Sequence, residues 1–190
     1  MGLLDTLFGR TKPVRPNLDS LFALPSAAIT LQSAAGLVSS GRAGICWKPP
    51  AGQPAEDVQH EIGELLTGSF THAEDSYGYR WLLVEDPELE DLVNRVHLVN
   101  TTLTEAGWGP QLLCSVFGFS PGPDAAEDAK PFFLVYLYKR GTFYPFAPDG
   151  AEHRDTELEL RLRAIFGADL PIEPDLSRWF PLWDLPLRSG

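Results

Sequence analysis

The chain has 190 residues, enough for one domain with tails, and its 44% apolar content can supply a buried core. Its 15 basic residues stand against 26 acidic ones, a net charge of -11. That excludes a general nucleic-acid binder, because neutralising phosphates needs a surplus of Lys and Arg. No run reaches the roughly 18 apolar residues of a membrane span, and the N-terminus lacks the apolar core of a secretory signal. A cytoplasmic protein is expected.

In chain order, "MGLLDTLFGRTK" reads as a short amphipathic helix with Leu3, Leu4, Leu7 and Phe8 on one side. "KPVRPN" then stops any helix and acts as a linker. Residues 1–17 are therefore expected to be a tethered segment. Arg10, Lys12 and Arg15 against Asp5 alone make it basic, on an otherwise acidic body. Met1-Gly2 with Thr6 matches a myristoylation pattern, which is read as a chance match. Residues 18–190 are expected to form an α+β globular domain with a Pro/Trp-rich C-terminal tail.

That body opens with a helical turn, a break at Pro25 and a strand in "LDSLFALPSAAITLQ", then a second strand over Ala43–Lys48. The spacing of Val58, Ile62, Leu65 and Leu66 predicts a helix. "YGYRWLLV" reads as a strand with Tyr77, Tyr79, Trp81 and Leu83 on one face. The longest helix follows Pro87, with Leu89, Leu92, Val93, Val96, Val99 and Leu103 as its stripe and Gly107 as its stop. "QLLCSVFGF" and "PFFLVYLYKR" are apolar on both faces and should be central strands. In "TFYPF", Pro145 marks an edge or a bulge. Leu158, Leu162, Ile165 and Phe166 line a last helix, and the tail with four prolines also carries Trp179, Phe180 and Trp183. Those three aromatics are too much apolar surface to leave wet and should dock on the body. Adjacent strands without regular βαβ alternation give α+β, with a mostly antiparallel sheet and packed helices.

No nucleophile elbow, phosphate loop, dinucleotide fingerprint, HExxH or CxxC motif occurs. His60, His72, His97 and His153 lack metal-ligand spacing. No cofactor or metal is expected. Cys46 and Cys114 sit in apolar runs and read as buried thiols; one disulfide between them is open but nothing demands it. Glu74 and Asp75 beside the tyrosines read as solvated loop charges; the alternative is an enzyme site around Asp75, Tyr77, Tyr79 and Arg80. Lys139 and Arg140 stand between aromatic runs. Extended backbone would point them to opposite sheet faces unless Gly141 re-aims the chain. Their bland reading is solvated strand-end charges. The functional one is a partner-binding edge of Tyr138, Lys139, Arg140 and Tyr144, with Arg140 on a tyrosine ring.

"MGLLDTLFGR", "KPVRPNLDSLFALPSAAITL", "DSYGYRWLLV", "NTTLTEAGWGPQLLCSVFGF", "LVYLYKRGTFYPFAP" and "DLSRWFPLWDLP" together resemble the PspAB family of PspA-associated proteins. Residues 49–70 and 121–130 carry little of the similarity. The resemblance implies an accessory of the phage-shock-type envelope stress response, whose central protein PspA coats damaged inner membrane from the cytoplasmic side. It brings no catalytic residue with it. The resulting expectation is a non-enzymatic adaptor working by protein–protein contact with a PspA-like partner. Leu3, Leu4, Leu7 and Phe8 would touch partner or membrane, making the protein peripheral on the inner face. The rivals are an enzyme with an unrecognised site near Asp75–Arg80, and a chaperone-like module binding peptides along a sheet edge.

Overall fold

A computed structural model describes residues 16–50, 52, 55–66 and 70–188. The expected amphipathic segment at Leu3–Phe8 and its linker up to residue 15 lie outside the described residues. The body is one α+β domain built on a six-stranded, wholly antiparallel sheet. Its strands are β1 (Leu37–Trp47), β2 (Thr71–Glu74), β3 (Arg80–Glu85), β4 (Leu112–Pro121), β5 (Phe132–Leu137) and β6 (Thr142–Phe146), in spatial order β2-β3-β1-β4-β5-β6. The helices are α1 (Leu24–Ala35), α2 (Ala55–Leu65), α3 (Leu89–Glu105) and α4 (Thr156–Phe166). Among the described residues no helix is long and apolar enough to cross a membrane.

The strand expected just after Pro25 is instead helix α1. Pro25 sits in its first turn, where its missing N–H would be unbonded anyway and its fixed φ suits the helix. Leu24, Ala27 and Leu31 then turn one face inward. Gly36, at φ +66°, ends α1 and sends the chain into β1. There is no room for a side chain, because a Cβ on Gly36 would lie 2.5 Å from the Ala125 Cα. β1 begins at Leu37, six residues before the expected start, and its register against β4 slips between Ser39 and Ala43. The slip carries polar Ser39, Ser40 and Gly41 through a strand that the alternation rule would have ended.

Alternation divides the sheet into two covered faces. One bears Ile45, Trp47, Leu82, Phe117, Leu134 and Tyr136, buried against α1, α3 and α4 through residues such as Leu31, Val96 and Phe166. At its centre Asn100 Nδ2 donates to Ser115 Oγ and to the Val96 carbonyl, a polar contact sealed in the core. The other face bears Cys46, Trp81, Cys114, Val116, Tyr144 and Phe146. No helix covers it. The C-terminal tail crosses it as an irregular strap, seating Trp179, Leu185 and Leu187. Of the three tail aromatics expected to dock, Trp179 is buried and Trp183 partly buried, while Phe180 remains 57% exposed.

The strap also closes the β6 edge. The Phe143 N–H donates to the Pro171 carbonyl, and the Glu173 N–H donates to the Phe143 carbonyl. Pro145, without an N–H, falls on this edge strand as expected.

Candidate functional site beneath the C-terminal strap

The five residues 75–79 that join β2 to β3 are organised by one carboxylate. Asp75 Oδ1 accepts from the Tyr77 and Tyr79 N–H groups at 3.0 and 2.9 Å, and Gly78 takes φ +78° to close the loop. Asp75 Oδ2 accepts from Trp81 Nε1 at 3.0 Å. The strap is tied to the same loop, since the Ser76 N–H donates to Asp184 Oδ2 at 2.9 Å. Those bonds hold the Asp184 carboxyl below its ordinary range. The local sequence therefore fixes a carboxylate at the rim of the strapped face and stands the indole ring of Trp81 behind it.

Between this loop, the sheet and strap residues Phe180–Leu182 lies a cavity of about 470 Å³, a size that suits a small organic molecule. Cys46 and Cys114 form part of its floor and are direct register partners of β1 and β4. Both are free thiols. The Cys46 thiol is pushed far up by its hydrogen bond with Cys114, by burial and by the nearby Asp75 carboxylate, so it stays protonated. Tyr144 adds a ring to the wall and donates its hydroxyl to the Phe180 carbonyl at 2.8 Å; burial pushes its pKa well up.

Of the cluster considered for an enzyme, Asp75, Tyr77 and Tyr79 share this cavity. Arg80 does not line it and pairs with Glu74 across the β2–β3 register. The cysteines, which join the other three there, come from separate stretches. The only sequence signal for their meeting is that both lie in strand-forming apolar runs.

The residues considered as a partner-binding edge go to different neighbours. β5 ends at Leu137, and residues 138–141 form a tight turn with Gly141 at φ +70°. Buried Tyr138 shares a 2.6 Å hydrogen bond with Thr104 on α3. Buried Tyr144 faces the strap. Arg140 donates through Nε and Nη2 to Glu173, a fully buried carboxylate that also accepts from Thr142 Oγ1 and the Asp175 N–H. Only Lys139 is exposed and without a recorded ion pair among the described residues. Asn17 packs on this turn. Its carbonyl accepts from the Tyr136 hydroxyl at 2.8 Å, and a Cβ on Gly141 would lie 3.1 Å from its own. The chain thus enters the body beside Lys139.

A second hollow, of about 520 Å³, is lined by Glu56, His60, Gly63, Glu64 and His72 from α2 and β2. Among the described residues no three His, Cys, Asp or Glu side chains group closely enough to hold a metal ion. His97 is half-buried, with its ring 4.6 Å from that of Phe22.

A strapped antiparallel sheet, with one charged group at the rim of an otherwise apolar cavity, defines a class of α+β domain without a recognisable catalytic motif. The family model described as PspA associated protein B matches residues 1–187. The chain belongs to this PspAB family, as its sequence resemblance implied. No curated protein matches it, and no solved structure does.

Proposed function

We propose that the chain is a non-enzymatic adaptor of PspA in the cell-envelope stress response, acting by protein–protein contact at the cytoplasmic face of the membrane. The family match carries this reading. It spans residues 1–187 and so takes in the apolar N-terminal stretch, the body and the strap as one unit associated by name with PspA. The entry of the chain at Asn17, beside the exposed Lys139 turn, supports one shared contact surface. In this reading the residues before Pro16 act as a segment separate from the body, which the chain joins at Asn17. Leu3, Leu4, Leu7 and Phe8 supply its apolar contact, and Arg10, Lys12, Arg15 and Lys139 supply its charge.

Magnitudes make the contact reversible. Burying four such side chains contributes roughly 1.5–3 kcal/mol each, while ordering the backbone costs ~1–2 kcal/mol per residue. The two nearly cancel over residues 2–9. Each basic residue near anionic lipid adds about 1 kcal/mol. The segment therefore biases location when PspA raises the local concentration, and does not anchor alone. Flotation of the purified full-length chain with anionic vesicles, with and without purified PspA, tests this. Co-flotation that depends on PspA and weakens in Lys139→Glu is expected. Equal flotation with and without PspA would refute the adaptor reading.

A further inference from the structure

Two large rings are left in water at the mouth of the strapped cavity: Tyr77 at 63% and Phe180 at 57% exposure. Folding gains nothing from leaving them there. Behind them stand Tyr79, Trp81 and Tyr144. Among the described residues lining the cavity, Asp75 is the only carboxylate, and no lysine, arginine or histidine stands with it. Asp75 Oδ2 accepts a single hydrogen bond, from Trp81 Nε1, and so keeps a free acceptor site. Aromatic faces attract cations through their quadrupole. The chain already displays this at the rim, where Lys48 Nζ lies 5.7 Å from the centre of the Tyr79 ring. A carboxylate set among aromatic rings, over an apolar floor without a cation, matches a positive charge carried on an apolar body. A neutral ligand would leave the carboxylate unused, and an anion would be repelled by it.

We propose that the cavity beneath the strap is a binding site for a small organic cation, a protonated or quaternary amine on an apolar stem. The site is independent of the PspA contact, which is assigned to the N-terminal segment and the Lys139 turn. Benzyltrimethylammonium, benzyl alcohol and phenylacetate share one aromatic body and differ in charge. They are titrated into the full chain while the Trp81 indole N–H resonance, assigned through Trp81→Phe, is followed by NMR. The cation is expected to shift that resonance with a Kd of about 1 mM or tighter, and the other two to bind at least about tenfold more weakly. Asp75→Asn should weaken the cation about tenfold and leave benzyl alcohol unchanged. Tyr77→Ala, which alters an exposed ring and leaves the core intact, should weaken the cation severalfold even where Asp75→Asn disturbs the loop. Equal binding of cation and alcohol, no movement of the Trp81 signal, or indifference to Tyr77→Ala would overturn the proposal.

Discussion

Arg140→Ala tests the clamp between the β5–β6 turn and the strap. The Glu173 side chain is 0% exposed and that of Arg140 is 42% exposed. Removing one partner of a buried pair costs about 3–5 kcal/mol. Here water reaches the arginine side and partly solvates what is left, so ~2–3 kcal/mol is expected. At ~2–4 °C per kcal/mol for a chain of this size, Tm should fall by about 4–12 °C. The pH dependence has a definite sign. Burial pushes Glu173 up, but its hydrogen bonds with Arg140, Thr142 and the Asp175 N–H outweigh burial and hold it below the ordinary 4.5. A depressed carboxyl contributes stability above that ordinary value and loses it as pH falls through the folded value. Without Arg140 the Glu173 carboxyl loses its charged partner and its pKa rises, so the deficit is largest near neutrality and shrinks in acid. Circular-dichroism melts at about pH 7 and about pH 4 read both effects. A neutral-pH deficit under ~1 °C, or one that grows on acidification, would refute the clamp.

Truncation after Leu170 should abolish a cooperative melt. It uncovers Trp81, Val116 and Phe146 and discards Trp179, Leu185 and Leu187, whose burial at roughly 1.5–3 kcal/mol each rivals a typical domain stability of about 5–15 kcal/mol. An unchanged melt would mean that the strap does not hold the fold. Gly36→Ala should cost more than about 2 kcal/mol in urea unfolding, because φ is +66° and the new Cβ would meet Ala125 backbone; a cost under ~0.5 kcal/mol would contradict that geometry. Thiol-specific labelling of the native protein should be slow at both cysteines and become fast only in denaturant, as buried thiols require. Rapid native labelling would show that the cavity floor is open.

The legible parts of the fold were those with one dominant period. The stripes of α3 and α4 follow from residues three and four apart, and β4 and β5 from runs apolar on both faces. α1 was not legible, because proline serves equally as a helix breaker and a first-turn residue, and only the tertiary setting decides. Of the predicted stripe, Ile62 in α2 and Leu66 just after it turn inward as expected, but Leu65 is left 38% exposed. β2, "THAE", carries no alternation and exists through pairing with β3. Local sequence also could not say where Arg140 points. Its strand ends three residues earlier, and its partner Glu173 lies 33 residues away in the strap. The cavity was half legible: Asp75, Tyr77 and Tyr79 stood out as a cluster, whereas Cys46, Cys114 and Phe180 join them only through register and the path of the strap.

The most direct measurement for the adaptor reading is binding of the purified full-length chain to immobilised purified PspA, beside the double variant Leu4→Asp, Phe8→Asp. The expected result is saturable binding by the natural chain and at least about tenfold weaker binding by the variant at an unchanged Tm. Equal binding by both, or no binding by the natural chain, would contradict contact through the N-terminal segment.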